Sequence, residues 1–214
     1  MRYLSALLFF SFSLNTYIVL AQNKFEPGYV INTQQDTLSG YIEYQEWPQN
    51  PAEISFKSKL ESEVKRYSPK DIFTFYVHEK KYVKAGVLAD ESGKDIKVSP
   101  EFPFHPVLED TVFLLELVPG IKSLYYLKDS KGKEHFYIYK EGQMEWLVYR
   151  FYKGGNVQGV DATYISNQTY KAQVYDYLKN CSAIDRRVNI LSYNKRSLSN
   201  IFWRFYEKCA ELRR

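Results

Sequence analysis

Three histidines and two cysteines are the whole stock of those side chains in this 214-residue chain. His78, His105 and His135 lie far apart, and two cysteines without nearby histidines do not fill a tetrahedral metal shell. His78-Glu79-Lys80-Lys81-Tyr82 comes nearest to a zinc-protease pattern, but Tyr82 stands where the second ligand belongs. A Gly-x-Ser-x-Gly elbow, a P-loop and a dinucleotide fingerprint are also missing. Gly154-Gly155-Asn156-Val157-Gln158-Gly159 has the wrong spacing for the last of these and reads as a linker. No cofactor, metal site or local catalytic motif is therefore expected.

Charge of one sign is lacking too. The formal net charge is +4, and +3 once Arg2 is removed with the leader described below, which is too mild to imply nucleic acid. The bases do gather toward the C-terminus, where Arg186, Arg187, Lys195, Arg196, Arg204, Lys208, Arg213 and Arg214 face few acids. A solvated helical surface accounts for that more simply than a binding patch does. Beyond the first 21 residues the longest uncharged apolar run is 112–115, the length of a buried strand and far short of a membrane span.

The N-terminus is different. Arg2 precedes an apolar stretch over 4–14, and Val19-Leu20-Ala21 ends in the small residue that a signal peptidase accepts, so residues 1–21 read as a cleavable secretory signal with Gln22 first in the mature chain. The rival reading, an uncleaved anchor, meets Asn15 and Thr16 well short of the roughly 20 residues a spanning helix needs. Gln22 is not a cysteine, so a lipid anchor has no sulfur to attach to at that point. The expected location is periplasmic or secreted, with no membrane span after cleavage.

What the mature chain has in plenty is aromatic residues, at 17% with 20 tyrosines. These suit half-buried strands whose outer ends stay wet. Short β-rich runs at 28–31, 38–45, 54–57, 64–67, 73–78, 82–84, 111–118, 122–128, 134–140 and 144–152 are spaced by turn formers, which predicts antiparallel rather than βαβ pairing. Residues 89–105 read as a loop with one possible strand at 96–98, and Gly132 is placed to supply a positive φ.

From Asn167 onward the period becomes helical. Tyr170, Val174, Tyr177, Leu178 and Cys181 form one apolar face, and Leu198, Ile201, Phe202, Phe205, Cys209 and Leu212 form another, with Ser197 placed as N-cap. The predicted class is α+β: an antiparallel β-rich domain over 22–153, as a meander or partly open barrel, followed by two or three helices in 160–214 packed on it.

Cys181 and Cys209 lie on those two faces, and export carries them to an oxidising compartment, so a disulfide between them is predicted. The alternative is a pair of buried thiols packing as small hydrophobes. Two site hypotheses remain. Tyr125, Tyr126, Tyr137, Tyr139 and Trp146 would make an aromatic binding face if exposed, and core if not. Glu116, Glu134 or Glu145 would serve glycoside hydrolysis if two of them converged.

Pro27-Gly28-Tyr29-Val30-Ile31, Asp36-Thr37-Leu38-Ser39-Gly40-Tyr41-Ile42, Asn50-Pro51 leading to Ile54-Ser55-Phe56, and Tyr67-Ser68-Pro69 with Asp71-Ile72 resemble an uncharacterised exported family of Bacteroidota. The C-terminal cysteine-bearing helices are similar as well. The resemblance implies a β-rich domain with such helices, followed in some members by an outer-membrane β-barrel, whereas this sequence stops at a basic helix end, which argues against a transport role. In that lineage Asp36-Thr37-Leu38 and Asp110-Thr111-Val112 resemble an acceptor motif for periplasmic O-glycosylation. Together these readings predict an exported binding or structural module whose partner is an envelope protein or glycan. The alternative is an envelope enzyme acting on glycans or peptides through dispersed carboxylates.

Overall fold

The computed structural model describes residues 25–90, 107–153 and 164–209. The leader, the 96–98 segment, His105 and the Gly154–Gly159 stretch lie outside these residues. Ten strands form one open antiparallel sheet: β1 (Phe25–Asn32), β2 (Thr37–Glu43), β3 (Ile54–Lys57), β4 (Lys65–Tyr67), β5 (Ile72–Val77), β6 (Lys80–Asp90), β7 (Val107–Val118), β8 (Leu124–Lys128), β9 (Glu134–Lys140) and β10 (Gln143–Trp146). Their order is β10-β9-β8-β7-β6-β5-β1-β2-β3-β4, two meanders joined where β1 pairs with β5.

Local chemistry sets the hairpins. Asn32 Oδ1 accepts from the backbone of Gln34 and Asp36, folding the polar segment between β1 and β2. His78 and Glu79, both at positive φ, make the two-residue turn whose twist matches the flanking strands β5 and β6. Gly132 adopts the predicted positive φ between β8 and β9.

The sheet curls twice, in opposite senses. Only residues 68–71 join β4 to β5, and Asp71 N–H closes a turn on the Ser68 carbonyl. Five Cα steps reach at most about 18 Å, whereas a flat sheet would put β4 and β5 four strand spacings apart, about 19 Å. The first four strands must therefore bend round, and they enclose Val30, Ile42, Phe56, Phe75 and Phe113. Across β6 to β10 the bend reverses. Val87, Leu114, Leu127 and Tyr137 fill the opposite face, β10 lies against β6, and the Tyr137 hydroxyl reaches the Leu88 carbonyl at 3.4 Å.

The outer side of this second curl is covered by three helices, α1 (Thr169–Tyr177), α2 (Ser182–Val188) and α3 (Lys195–Lys208), which bury Leu124, Phe136 and Ile138 beneath Val174, Ile184, Phe202 and Phe205. Tyrosines pin them to the sheet side and to one another. Tyr177 donates to the Tyr139 carbonyl at 2.9 Å, Tyr193 to Leu147 at 2.8 Å and Tyr170 to Leu191 at 2.6 Å. Burial raises the Tyr170 hydroxyl to about 12 and pushes Tyr177 and Tyr193 upward as well, so all three keep the proton they donate.

The α+β class and the disulfide agree with the sequence reading, while several details differ. The 144–152 run does not form one strand. It breaks after Trp146, and β11 (Arg150–Lys153) pairs instead with β12 (Tyr164–Asn167), so strand pairing crosses the expected boundary between the two regions. Asn194, not Ser197, caps α3: its side chain accepts from Ser197 N–H, while Ser197 Oγ accepts from Ser192 N–H. Cys181 and Cys209 are not on the helix faces. Cys181 is the N-cap of α2 and Cys209 the C-cap of α3, joined with their Cα atoms 6.0 Å apart. Cys209 fits the helical period because a C-cap continues the phase of the helix it ends, whereas Cys181 lies three residues past Leu178, the C-cap of α1, and starts the next helix.

Candidate functional site

One concavity among the described residues is built by a segment that sequence reading takes for a mere connector. Residues 47–52 leave β2 through Glu46, at φ 49°, and cannot join the sheet as an inner strand because Pro48 and Pro51 donate no backbone hydrogen bond. Trp47 anchors the near end, packing edge-on against Phe75 and Tyr82 at the rim of the first core. Gln49 ties the outside to the β8–β9 turn, donating to the Ser130 carbonyl at 3.1 Å.

Asn50 is the wedge between them. β7 and β8 pair only from Leu115↔Tyr126 inward to Val118↔Leu124, and beyond that row Asn50 stands where the ladder would continue. Its Nδ2 donates to Phe113 O and Tyr126 O, both at 2.9 Å, Oδ1 accepts from Lys128 N–H at 3.0 Å, and its own N–H reaches Lys128 O at 3.1 Å. One residue thus satisfies both sides of a fork in the sheet. Pro51, next in the chain, favours an extended backbone at Asn50.

The fork holds open a groove of about 610 Å³ between the outer half of β7 and the ends of β8 and the β8–β9 turn, its walls including Trp47, Pro48, Pro51, Val112 and Leu127. Asp129, at the rim, is held rigidly: Oδ1 accepts from Lys131 N–H at 2.9 Å and Lys133 N–H at 2.8 Å, and Oδ2 meets His135 Nε2 at 3.0 Å. Burial alone would raise its pKa, but the His135 contact and these backbone donors outweigh it and hold the carboxyl below its ordinary value. Asp110 turns on its own chain, where Oδ1 accepts from Thr111 N–H at 2.7 Å. The walls are largely apolar, with polar groups confined to the strand edge and the rim, a composition suited to binding.

The five aromatic residues considered as a face are not gathered on one surface. Tyr125, Tyr137 and Trp146 point into the second core, Tyr126 faces the helices, and only Tyr139 is substantially exposed, at 49%. Adjacent residues of a strand take opposite faces, so Tyr125 and Tyr126 separate at once.

The carboxylates are dispersed too. Glu116 pairs with Lys81 at 3.2 Å, Glu134 accepts from Tyr126 OH at 2.8 Å, and Glu145 accepts from Gln173 Nε2 at 2.8 Å. Glu116 lies opposite Tyr125, on the face away from the helices, whereas Glu145 is opposite Ile138, four residues or about 13 Å along β9 from Glu134. His78 contacts Glu26, and His135 is buried against Asp129. Among the described residues no three of His, Cys, Asp and Glu are grouped to hold a metal ion. Thr37 and Thr111, of the two acceptor-like tripeptides, are both exposed.

Asn50 is the residue that sequence reasoning passed over. Its visible marks were a place beside Gln49 between two prolines in a β-rich region and the Asn50-Pro51 pair among the motifs of the resemblance. Comparison with family models, with curated proteins and with solved structures finds no match to the chain.

Proposed function

We propose that this chain is an exported binding module of the cell envelope, periplasmic or surface-exposed, and that the groove held open by Asn50 is its binding site. The observation that carries the reading is a polar wedge spent on keeping two strands apart: continuing the ladder would satisfy the same backbone groups and close the space. Export is supported by the leader motif at 1–21 and by the Cys181–Cys209 bond, which persists in oxidising compartments. The same reading takes the chain as kin to the exported Bacteroidota family that its glycine and proline motifs resemble.

Two measurements test it. Protein recovered from the envelope is expected to begin at Gln22 and to resist thiol alkylation until reduced. Intact Met1 with two free thiols, found inside the cell, would overturn export. The mature chain, immobilised and exposed to envelope extract, is expected to retain a ligand that an Ala52→Trp variant, which fills the exposed groove wall, no longer holds. Equal retention by both proteins would exclude the groove.

A further inference from the structure

We propose that the groove's occupant is an extended peptide that adds a strand to the free edge of β7, an inference that rests on the groove being the binding site. Among the described residues, β7 from Val107 to Val112 has a strand partner on one side alone: β6 pairs with it from Asp90↔Val107 to Tyr82↔Leu115, whereas β8 begins only at Leu115. That leaves about 20 Å of edge, the length of a six-residue strand.

The direction of the free groups follows from what already touches them. The Phe113 carbonyl points away from β6, because Asn50 takes it from the β8 side. Backbone direction repeats every second residue, so the N–H and C=O of Thr111 point the same way. Thr111 N–H is in fact covered from that side, by the carboxylate of Asp110 rather than by a strand. Asp110, Thr111, Val112 and Phe113 all line the groove, so the open space runs beside these groups. Pro48, Pro51 and Pro69 elsewhere in the lining have no N–H to offer, whereas β7 presents donors and acceptors in strand spacing.

Strand addition supplies those partners in the required spacing, as in other proteins that bind peptides at a sheet edge. A peptide carbonyl takes over Thr111 N–H, a peptide N–H reaches the Thr111 carbonyl, and the Asp110 carboxylate is released. That carboxylate is exposed, and it selects a lysine or arginine in the neighbouring position of the peptide. In the free protein Asp110 and Asn50 together cover the edge, as charged and polar side chains do on other unpaired strands.

The test uses the mature, disulfide-bonded chain against a displayed library of random 12-residue peptides, with the enriched peptides then synthesised. Enriched sequences are expected to carry a basic residue in an otherwise alternating pattern. N-methylation at alternate backbone nitrogens is expected to weaken binding at least about tenfold, the value of one to two lost hydrogen bonds, and methylation at the intervening nitrogens to change little. Thr111→Pro removes the edge donor without touching the β6 ladder and is expected to weaken binding about tenfold. N-methylated peptides need no change in the protein, so they decide the matter if that variant fails to fold. Binding indifferent to the methylation pattern would overturn strand addition. If no peptide is enriched while soluble glycan oligosaccharides are held by wild type and released by Ala52→Trp, strand addition fails and the groove stands. If Ala52→Trp alters the binding of no probe, the groove reading itself falls.

Discussion

At the residue scale the molecule turns on Asn50. Its side chain and backbone N–H make four hydrogen bonds to three residues of two strands, and the groups it serves are partly buried. An unmet buried carbonyl or amide costs about 1 to 3 kcal/mol. Asn50→Ala leaves Phe113 O, Tyr126 O and Lys128 N–H to find water or each other, so urea unfolding is expected to show a loss of about 2 to 4 kcal/mol. A loss below about 0.5 kcal/mol would mean that the strands close the fork by themselves. None of this was legible beforehand, since nothing local in Trp47-Pro48-Gln49-Asn50-Pro51 tells which distant carbonyls, 63 and 76 residues away, the amide will meet.

At the scale of elements, the glycines of β1 and β2 explain why the first half of the sheet curls so tightly. Gly28 and Gly40 lie opposite one another, and a Cβ on either would sit 2.3 Å from the Tyr76 carbonyl or 2.2 Å from that of Lys57. No side chain fits where neighbouring strands bend over the pair. Gly40→Ala is therefore expected to cost about 1 to 3 kcal/mol by overpacking against β3, which thermal unfolding followed by circular dichroism measures. A neutral effect would show that the curl relaxes freely. The motifs Pro27-Gly28-Tyr29 and Ser39-Gly40-Tyr41 were visible as patterns, and alternation placed the strands around them. What the glycines were for needed the third strand, because the clash is with β3 and β5 and not within the hairpin.

At the scale of the whole molecule, a sheet of ten strands bent first one way and then the other carries two cores on opposite faces, with helices closing a third. The Cys181–Cys209 bond ties the start of α2 to the end of α3 and closes a 28-residue span of chain. Reduction, or Cys181→Ser with Cys209→Ser, is expected to lower stability by about 3 to 4 kcal/mol through the freedom returned to the unfolded chain. Loosening should be greatest in α2 and α3, read by hydrogen exchange of their amides. Unchanged unfolding after reduction would mean that helix packing alone holds the C-terminal region.

The sequence by itself determined the alternation that makes strands, the helical period after Asn167 and the two cysteines that pair. All of these are local or compositional, and a side chain's polarity and spacing act on its own neighbourhood first. Only the tertiary structure decided the order of the strands, the reversal of curl that buries Tyr125 and Tyr126 on different faces, and the fork that Asn50 holds open. Those features depend on backbone groups dozens of residues apart meeting in space, and hydrogen bonds of that kind leave no period in the chain to read.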